Sequence, residues 1–498
     1  MLFLHTKLEH YLILTLHTNF KLTTINKFLN TLIMKITRFF LSSLLISALT
    51  LVSCEDDETT TPTPTPTPDA VIVLSGNLET MTLSKDKKYL IQGQTFVRTG
   101  KVLTIQPGTI IKGDKATKGT LIIDKGGKIE ANGTAAEPIV MTSNLPAGSR
   151  DRGDWGGLVI LGNAPTNQVD PFIEGITPAV TYGGTVGADN SGTLRYVRVE
   201  YAGIELTPNN ETNSITLGGV GSATTMEYVQ VTYGGDDGFE WFGGTVNGKY
   251  LISFASWDDS FDVDFGYMGK NQFGVEVRYP SFADQSGSNS FECDNGPNDN
   301  VTTLLTEGVF SNFTCVGPKA TDTQSVNANY QHSIDLRRRT AVTIANSVFI
   351  GYNLGGLRMN QQSVYDNYAP ATGTPVGKLL NNILVIPASK DFLVGTGMTA
   401  TTTMIRTWFT ATNTLITTAT ADAFISLGIA ANVPFGTNVV SAYPANPTFE
   451  VTTGTLTTGA TFTDAKLTSL QSVAYRGGFG TTDWTNGWAE FVPNSKAY

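Results

Sequence analysis

From Val71 to about Asn360 the chain reads as short runs of β-branched and aromatic residues, broken every few positions by Gly, Asn or Asp. Apolar and polar positions alternate within the runs, so they predict strands separated by tight turns. No stretch there shows the three-to-four spacing of an amphipathic helix. The runs also repeat. Leu103–Ile111 aligns with Leu121–Ile129 at an offset of 18 residues, and Tyr228–Glu240 aligns with Tyr250–Asp262 at 22. Tyr196-Val-Arg-Val-Glu-Tyr201 is a further copy, 32 residues before Tyr228, which implies an insertion of about ten residues between them. Phe291-Glu-Cys293 matches Phe313-Thr-Cys315, again at 22.

Irregular periods of about 18 to 25 residues predict coils that cannot bury an apolar face alone and must stack on their neighbours. The expected fold is all-β, a parallel β-helix over residues 71–360. It should be right-handed, as parallel crossovers nearly always are. A propeller blade needs roughly twice this period, and a β-sandwich array is the other alternative. Residues 361–498 break the pattern. Thr-rich stretches lie at 399–420 and 451–463, and Thr420–Asn432 has room for one short helix. The aromatic end, with Trp484, Trp488 and Phe491, reads as further coils and a tail packed on the helix side or capping its open end.

Composition sharpens this picture. Of 498 residues only 15% are charged and 51 are Gly, and the net charge is −10, which disfavours nucleic acid as a partner. Five basic residues and one acid precede Cys54, leaving 28 basic and 42 acidic residues from Cys54 onward. Three of the four His lie before residue 54, so His332 stands alone in the rest, and no multi-His zinc site fits there.

Met34–Arg38 is a short basic region, and Phe39–Thr50 is an apolar run too short to span a bilayer comfortably. Leu51-Val-Ser-Cys54 then resembles a bacterial lipobox, which implies lipidation at Cys54. Residues 1–33 are expected to be an over-extended start and 34–53 a lipoprotein signal. Residues 54–70 join the acidic Glu55–Glu58 to a Thr/Pro spacer, extended by its alternating prolines to roughly 30 Å.

The lipobox, the acidic cluster after it, Asp154-Trp-Gly-Gly-Leu-Val-Ile-Leu-Gly162, Tyr233-Gly-Gly-Asp-Asp-Gly-Phe-Glu-Trp-Phe-Gly-Gly244 and the Trp-rich end together resemble a family of Bacteroidetes cell-surface lipoproteins. The resemblance covers about residues 34–498. It implies a right-handed parallel β-helix like that of pectin lyases, tethered through Cys54 to the outer membrane and facing the cell exterior. Most members have no assigned activity.

The 22-residue offset stacks Asp236 on Asp258, Asp237 on Asp259 and Glu240 on Asp262. Glu205 falls in the Asp237 column, and Asp264, Glu292 and Asp294 extend the cluster. Carboxylates about 5 Å apart repel by about 3 kcal/mol at an effective dielectric near 20. Ca²⁺ held by Asp236, Asp237, Glu240, Asp258, Asp259, Asp262 and Asp264 is one remedy. Protons held for catalysis by Asp237, Asp259 and Asp262 are another. Acids that cap turns in water are the third. Polygalacturonase-type hydrolases carry an Asp pair, but their Asn-Thr-Asp and Gly-His-Gly companions are missing. A lyase needs a basic residue, and no spacing selects among Arg195, Arg198, Lys249, Arg278 and Arg337–Arg339.

Alternation turns Phe239, Phe261 and Trp241 inward, whereas Trp257 falls at a turn and is the candidate for stacking on a sugar. Cys293 and Cys315, 22 apart, are expected on adjacent coils, either disulfide-bonded or as stacked free thiols. Arg152-Gly-Asp154 matches the integrin-binding tripeptide, a match common by chance. The sequence favours a Ca²⁺-stabilised polysaccharide-binding protein over a polysaccharide lyase or glycoside hydrolase, with a purely structural surface component as the third reading.

Overall fold

The computed structural model describes residues 70–498 apart from 208, 209, 353 and 438. The signal, the lipidation site at Cys54 and all of the linker but Ala70 lie outside the described residues. Thr225 to Asn247 makes one coil. The Thr225–Thr232 strand bends at Tyr228, so its two halves serve two sheets. After the turn at 233–238, Phe239–Phe242 supplies the third sheet. The next coil lies in register on the first, with Thr225 beside Asn247, Val231 beside Ser253 and Phe239 beside Phe261. The 32-residue offset holds equally, Thr193 pairing with Thr225. Among the described residues, repetition builds 26 connected strands into a three-faced parallel β-helix. The insertion in the longer coil forms an antiparallel hairpin of Glu205–Thr207 and Asn210–Glu211.

The corner residue has a left-handed backbone in successive coils, at Tyr196, Tyr228, Tyr250 and Phe273, with φ of +48°, +56°, +61° and +63°. That conformation costs roughly 1–2 kcal/mol for a residue with a Cβ. Ring stacking at 4.4, 4.4 and 5.2 Å along the column offsets it. Further on the same corner is taken by Asn312, Asn346 and Asn381, whose short amide tolerates it.

Inside, Phe239, Phe261 and Phe291 stack with centroids 5.9 and 5.0 Å apart, and Trp241 lies fully buried against Phe239. The coils run past residue 360 to a last strand at Thr414–Ile416. Two helices missing from the sequence reading, Gln362–Tyr368 and Thr402–Thr410, sit in their turns, and the expected third spans Thr420–Leu427. The tail then runs back along the side. Gln471 N–H donates to Gln272 (2.9 Å), Glu490 N–H to Gln230 (2.9 Å), and Arg150 donates to the Pro493 carbonyl (3.1 Å). Phe435, Tyr443 and Phe491 bury the outer face of one sheet at Ile252, Val275 and Val348. Trp488 stands edge-on to Tyr196 and Tyr228 and is buried, as a packed tail requires.

Two sequence alignments do not correspond to stacking. Leu103 sits beside Ile129 and Leu121 beside Leu158, so the 18-residue offset relates strands of different faces within one turn of the helix. Likewise Cys293 lies between Val263 and Leu336 on one sheet, and Cys315 between Glu276 and Phe349 on another. Neither the disulfide nor the stacked pair of thiols therefore forms, and both cysteines are free and buried. Burial raises both thiol pKa values well above the ordinary range. Thiol reagent should label neither cysteine until denaturant unfolds the chain. Phe261→Ala, which opens the aromatic stack, should cost about 3–5 kcal/mol in denaturant unfolding.

Candidate functional site

The turn before each third-sheet strand is braced by a side chain that reaches to the next coil. Asp237 Oδ1 accepts the Asp259 N–H (2.8 Å), Asp259 Oδ1 accepts the Asn289 N–H, and Asn289 Oδ1 accepts the His332 N–H (3.0 Å). Asp237 and Asp259, candidates for catalysis, are thus buried turn braces with 7% and 3% exposure. Glu205 leaves this column for the hairpin, and Ser214, which donates its N–H to the Asp237 carbonyl, puts Asn213 in its place.

On the strands that follow, register makes an outward row of Thr216, Glu240, Asp262, Glu292, Asp335 and Arg358. Neighbours in such a row are about 4.8 Å apart. Its far end is neutralised. Arg358 grips Asp335 bidentately, Arg337 reaches Glu292 and Asp294 at 2.6 Å each, and Arg338 reaches Asp294 at 2.6 Å. The near end is not. Among the described residues, no basic nitrogen lies within 4.0 Å of Asp236, Asp237, Glu240, Asp258, Asp259, Asp262 or Asp264. The buried Oδ1 atoms of Asp258 and Asp262 have no hydrogen-bond partner. Oxygens within 4.8 Å of one another occur in three overlapping groups: Asp236, Asp237, Asp258; Asp237, Glu240, Asp262; and Asp259, Asp262, Glu292. Two oxygens each about 2.4 Å from one Ca²⁺ are at most about 4.8 Å apart, so the spacing lies within the limit for shared ligands, and each group would supply three of the six to eight oxygens that the ion takes.

Burial first, and neighbouring carboxylates second, hold protons on this cluster. The Glu240 pKa is raised to about 8 and that of Asp264 to about 7. Asp258 rises to about 6, chiefly through burial. Asp236, Asp237, Asp259 and Asp262 are raised well above the usual carboxylate range.

Asp236 and Glu211 of the hairpin stand between two clefts. The larger, about 720 Å³, is lined by Asp258, Asp284 and Trp257 among others. Trp257, expected to offer its face to a sugar, carries the Arg152 guanidinium 3.3 Å from its ring centroid, with Phe282 on that guanidinium at 4.2 Å. This face of the indole is therefore covered and not bare. Asp154 is fully buried, accepting from Ser143 (2.7 Å) and Lys115 (2.8 Å), so the integrin-like tripeptide is not presented. His332 is 1% exposed, and burial together with Arg358 lowers its pKa to about 3, which removes it as a base. Arg278 is buried on Ser260 and the Trp257 carbonyl, and Arg198 is bonded to the Trp488 carbonyl of the tail.

Asp335 and Arg358, the neutralised end of the row, escaped the sequence reading. The row advances by 22 residues from Glu240 to Asp262 but by 30 and then 43 in the next two steps, so a fixed period does not reach them.

A raised folded-state carboxyl pKa favours folding below the unfolded value near pH 4 and loses that contribution as pH rises through the folded value. In metal-free buffer the melting temperature should therefore fall between about pH 4 and about pH 8, and Glu240→Gln should flatten part of the fall. A melting temperature indifferent to pH over that window would contradict the cluster's protonation.

A family model described as a pectate-lyase-like β-helix domain matches residues 76–423. Comparisons with curated proteins and with solved structures each return no match. The matched span covers most of the chain and coincides with the stacked coils, and the chain belongs to the pectate-lyase-like β-helix family.

Proposed function

We propose that this protein is a lipid-anchored outer-membrane protein of the cell surface that binds polysaccharide, with Ca²⁺ seated in the acidic row. The observation that carries the reading is the uncompensated near end, where stacked carboxylates meet no basic side chain while the far end is matched by Arg337, Arg338 and Arg358. A divalent cation offsets that charge with the oxygen ligands it prefers. Coordination positions left open on the ion would take sugar hydroxyls or carboxylates as further oxygen ligands. Membership of a pectate-lyase-like family supports a polysaccharide-related role. The lipobox at Cys54 and the Thr/Pro spacer support the anchor, and the acidic residues after Cys54 support export to the outer face. Binding without cleavage is favoured because Asp237 and Asp259 are spent on main-chain N–H groups and the lone histidine of the coils is buried.

The test is retention of the protein on a panel of neutral and acidic polysaccharides, with Ca²⁺ and with chelator, while product release is followed. The expected outcome is retention that chelator weakens at least tenfold and no released oligosaccharide. Release abolished by Asp262→Asn would instead make the protein a lyase or hydrolase.

A further inference from the structure

The smaller cleft, about 360 Å³, has a chemistry of its own. The carboxylates of Asp236, Asp237 and Glu240 line it together with the rings of Phe172, Phe242 and Phe265, and Glu240 and Phe242 share one face of the Phe239–Phe242 strand. No basic residue lines it. Tyr182 also lines it: the residue is 1% exposed, yet its hydroxyl has no hydrogen-bond partner. Its ring centroid lies 6.4 Å from that of Phe242, and the charges of Glu240 and Asp264, after burial itself, help keep its proton on. A buried phenol without a partner costs roughly 1–3 kcal/mol, and an acceptor oxygen brought to it by a ligand would remove that cost.

A metal ion explains the carboxylates but makes no use of three phenyl rings or an orphan hydroxyl. An organic cation uses all of them. Its ammonium donates hydrogen bonds to Glu240 and favours the ionised form of that carboxyl, its body packs on the phenyl rings, and a ring-borne oxygen accepts a hydrogen bond from the Tyr182 hydroxyl. We propose that this cleft is a subsite for an amino sugar with a free ammonium group, within a polysaccharide chain that extends along the acidic row. The inference rests on the polysaccharide-binding reading and names the sugar class at one position. The other two carboxylate groups, around Asp258 and around Glu292, stay available to the cation. Acetylation of the amine removes the charge and adds bulk, so the N-acetylated sugar is the discriminating comparison.

The experiment is calorimetric titration of the protein with a tetramer of β-linked glucosamine, its N-acetylated form and the matching glucose tetramer, each in Ca²⁺. The expected result is glucosamine binding at least tenfold tighter than either control, the weight of one charge-assisted hydrogen bond. Glu240→Gln should abolish that preference, and Tyr182→Phe, which keeps the ring and hence the fold, should weaken glucosamine about threefold or more. Asp422→Asn, exposed on a helix that lines neither cleft, should leave the preference intact. Equal affinity for the three tetramers, or a glucosamine preference that survives both Glu240→Gln and Tyr182→Phe, overturns the proposal. If neutral or acidic polysaccharides are retained and glucosamine is not, this inference fails alone. If the protein retains no polysaccharide of any kind, both readings fail.

Discussion

In-register stacking of parallel coils is the constraint from which the rest of this structure follows. It places each side chain about 4.8 Å from its counterpart one coil away, whatever the residue type. For aromatic residues this spacing is favourable. The interior Phe239, Phe261 and Phe291 stack, and the corner Tyr196, Tyr228 and Tyr250 hold a strained backbone conformation by ring contact. For Asp237, Asp259 and Asn289 it is also favourable, because each carboxylate or amide meets a main-chain N–H of the neighbouring coil. For Glu240, Asp262 and Glu292 the same spacing is a liability, since like charges are forced together at half-buried positions.

Two remedies are built along one row. Toward Asp335 the helix supplies its own arginines, at hydrogen-bonding distance and in bidentate geometry. Toward Glu240 it supplies protons, held by burial, and an opening to solvent through two clefts. Where the far end carries arginines, the near end carries aspartates with orphaned oxygens. The tail meanwhile covers the outer face of a different sheet, so the acidic face is left to whatever occupies it.

Much of this was legible in the sequence where the period was regular. The coils holding Tyr196, Tyr228 and Tyr250 announced their stacking partners, the insertion that became the hairpin, and the inward turn of Trp241. Legibility failed where coil length changed, because insertions shift the numbering without shifting the stack. That is why Asp335 and Arg358 were missed, and why similar strands on different faces, as with Cys293 and Cys315, looked stacked. It failed too for contacts between distant segments. Nothing near Trp257 in sequence foretold that Arg152 would cover it, and nothing near Glu240 foretold Tyr182.

The central claim is that a cation, rather than bound protons alone, balances the near end of the row at neutral pH. Calorimetric titration of the chelator-stripped protein with Ca²⁺ at pH 7 tests it most directly. The account predicts saturable binding with release of protons, lost in Asp262→Asn and retained in Asp422→Asn. No measurable heat and no proton release at millimolar Ca²⁺ would contradict it, and would leave the row a buried, protonated stack.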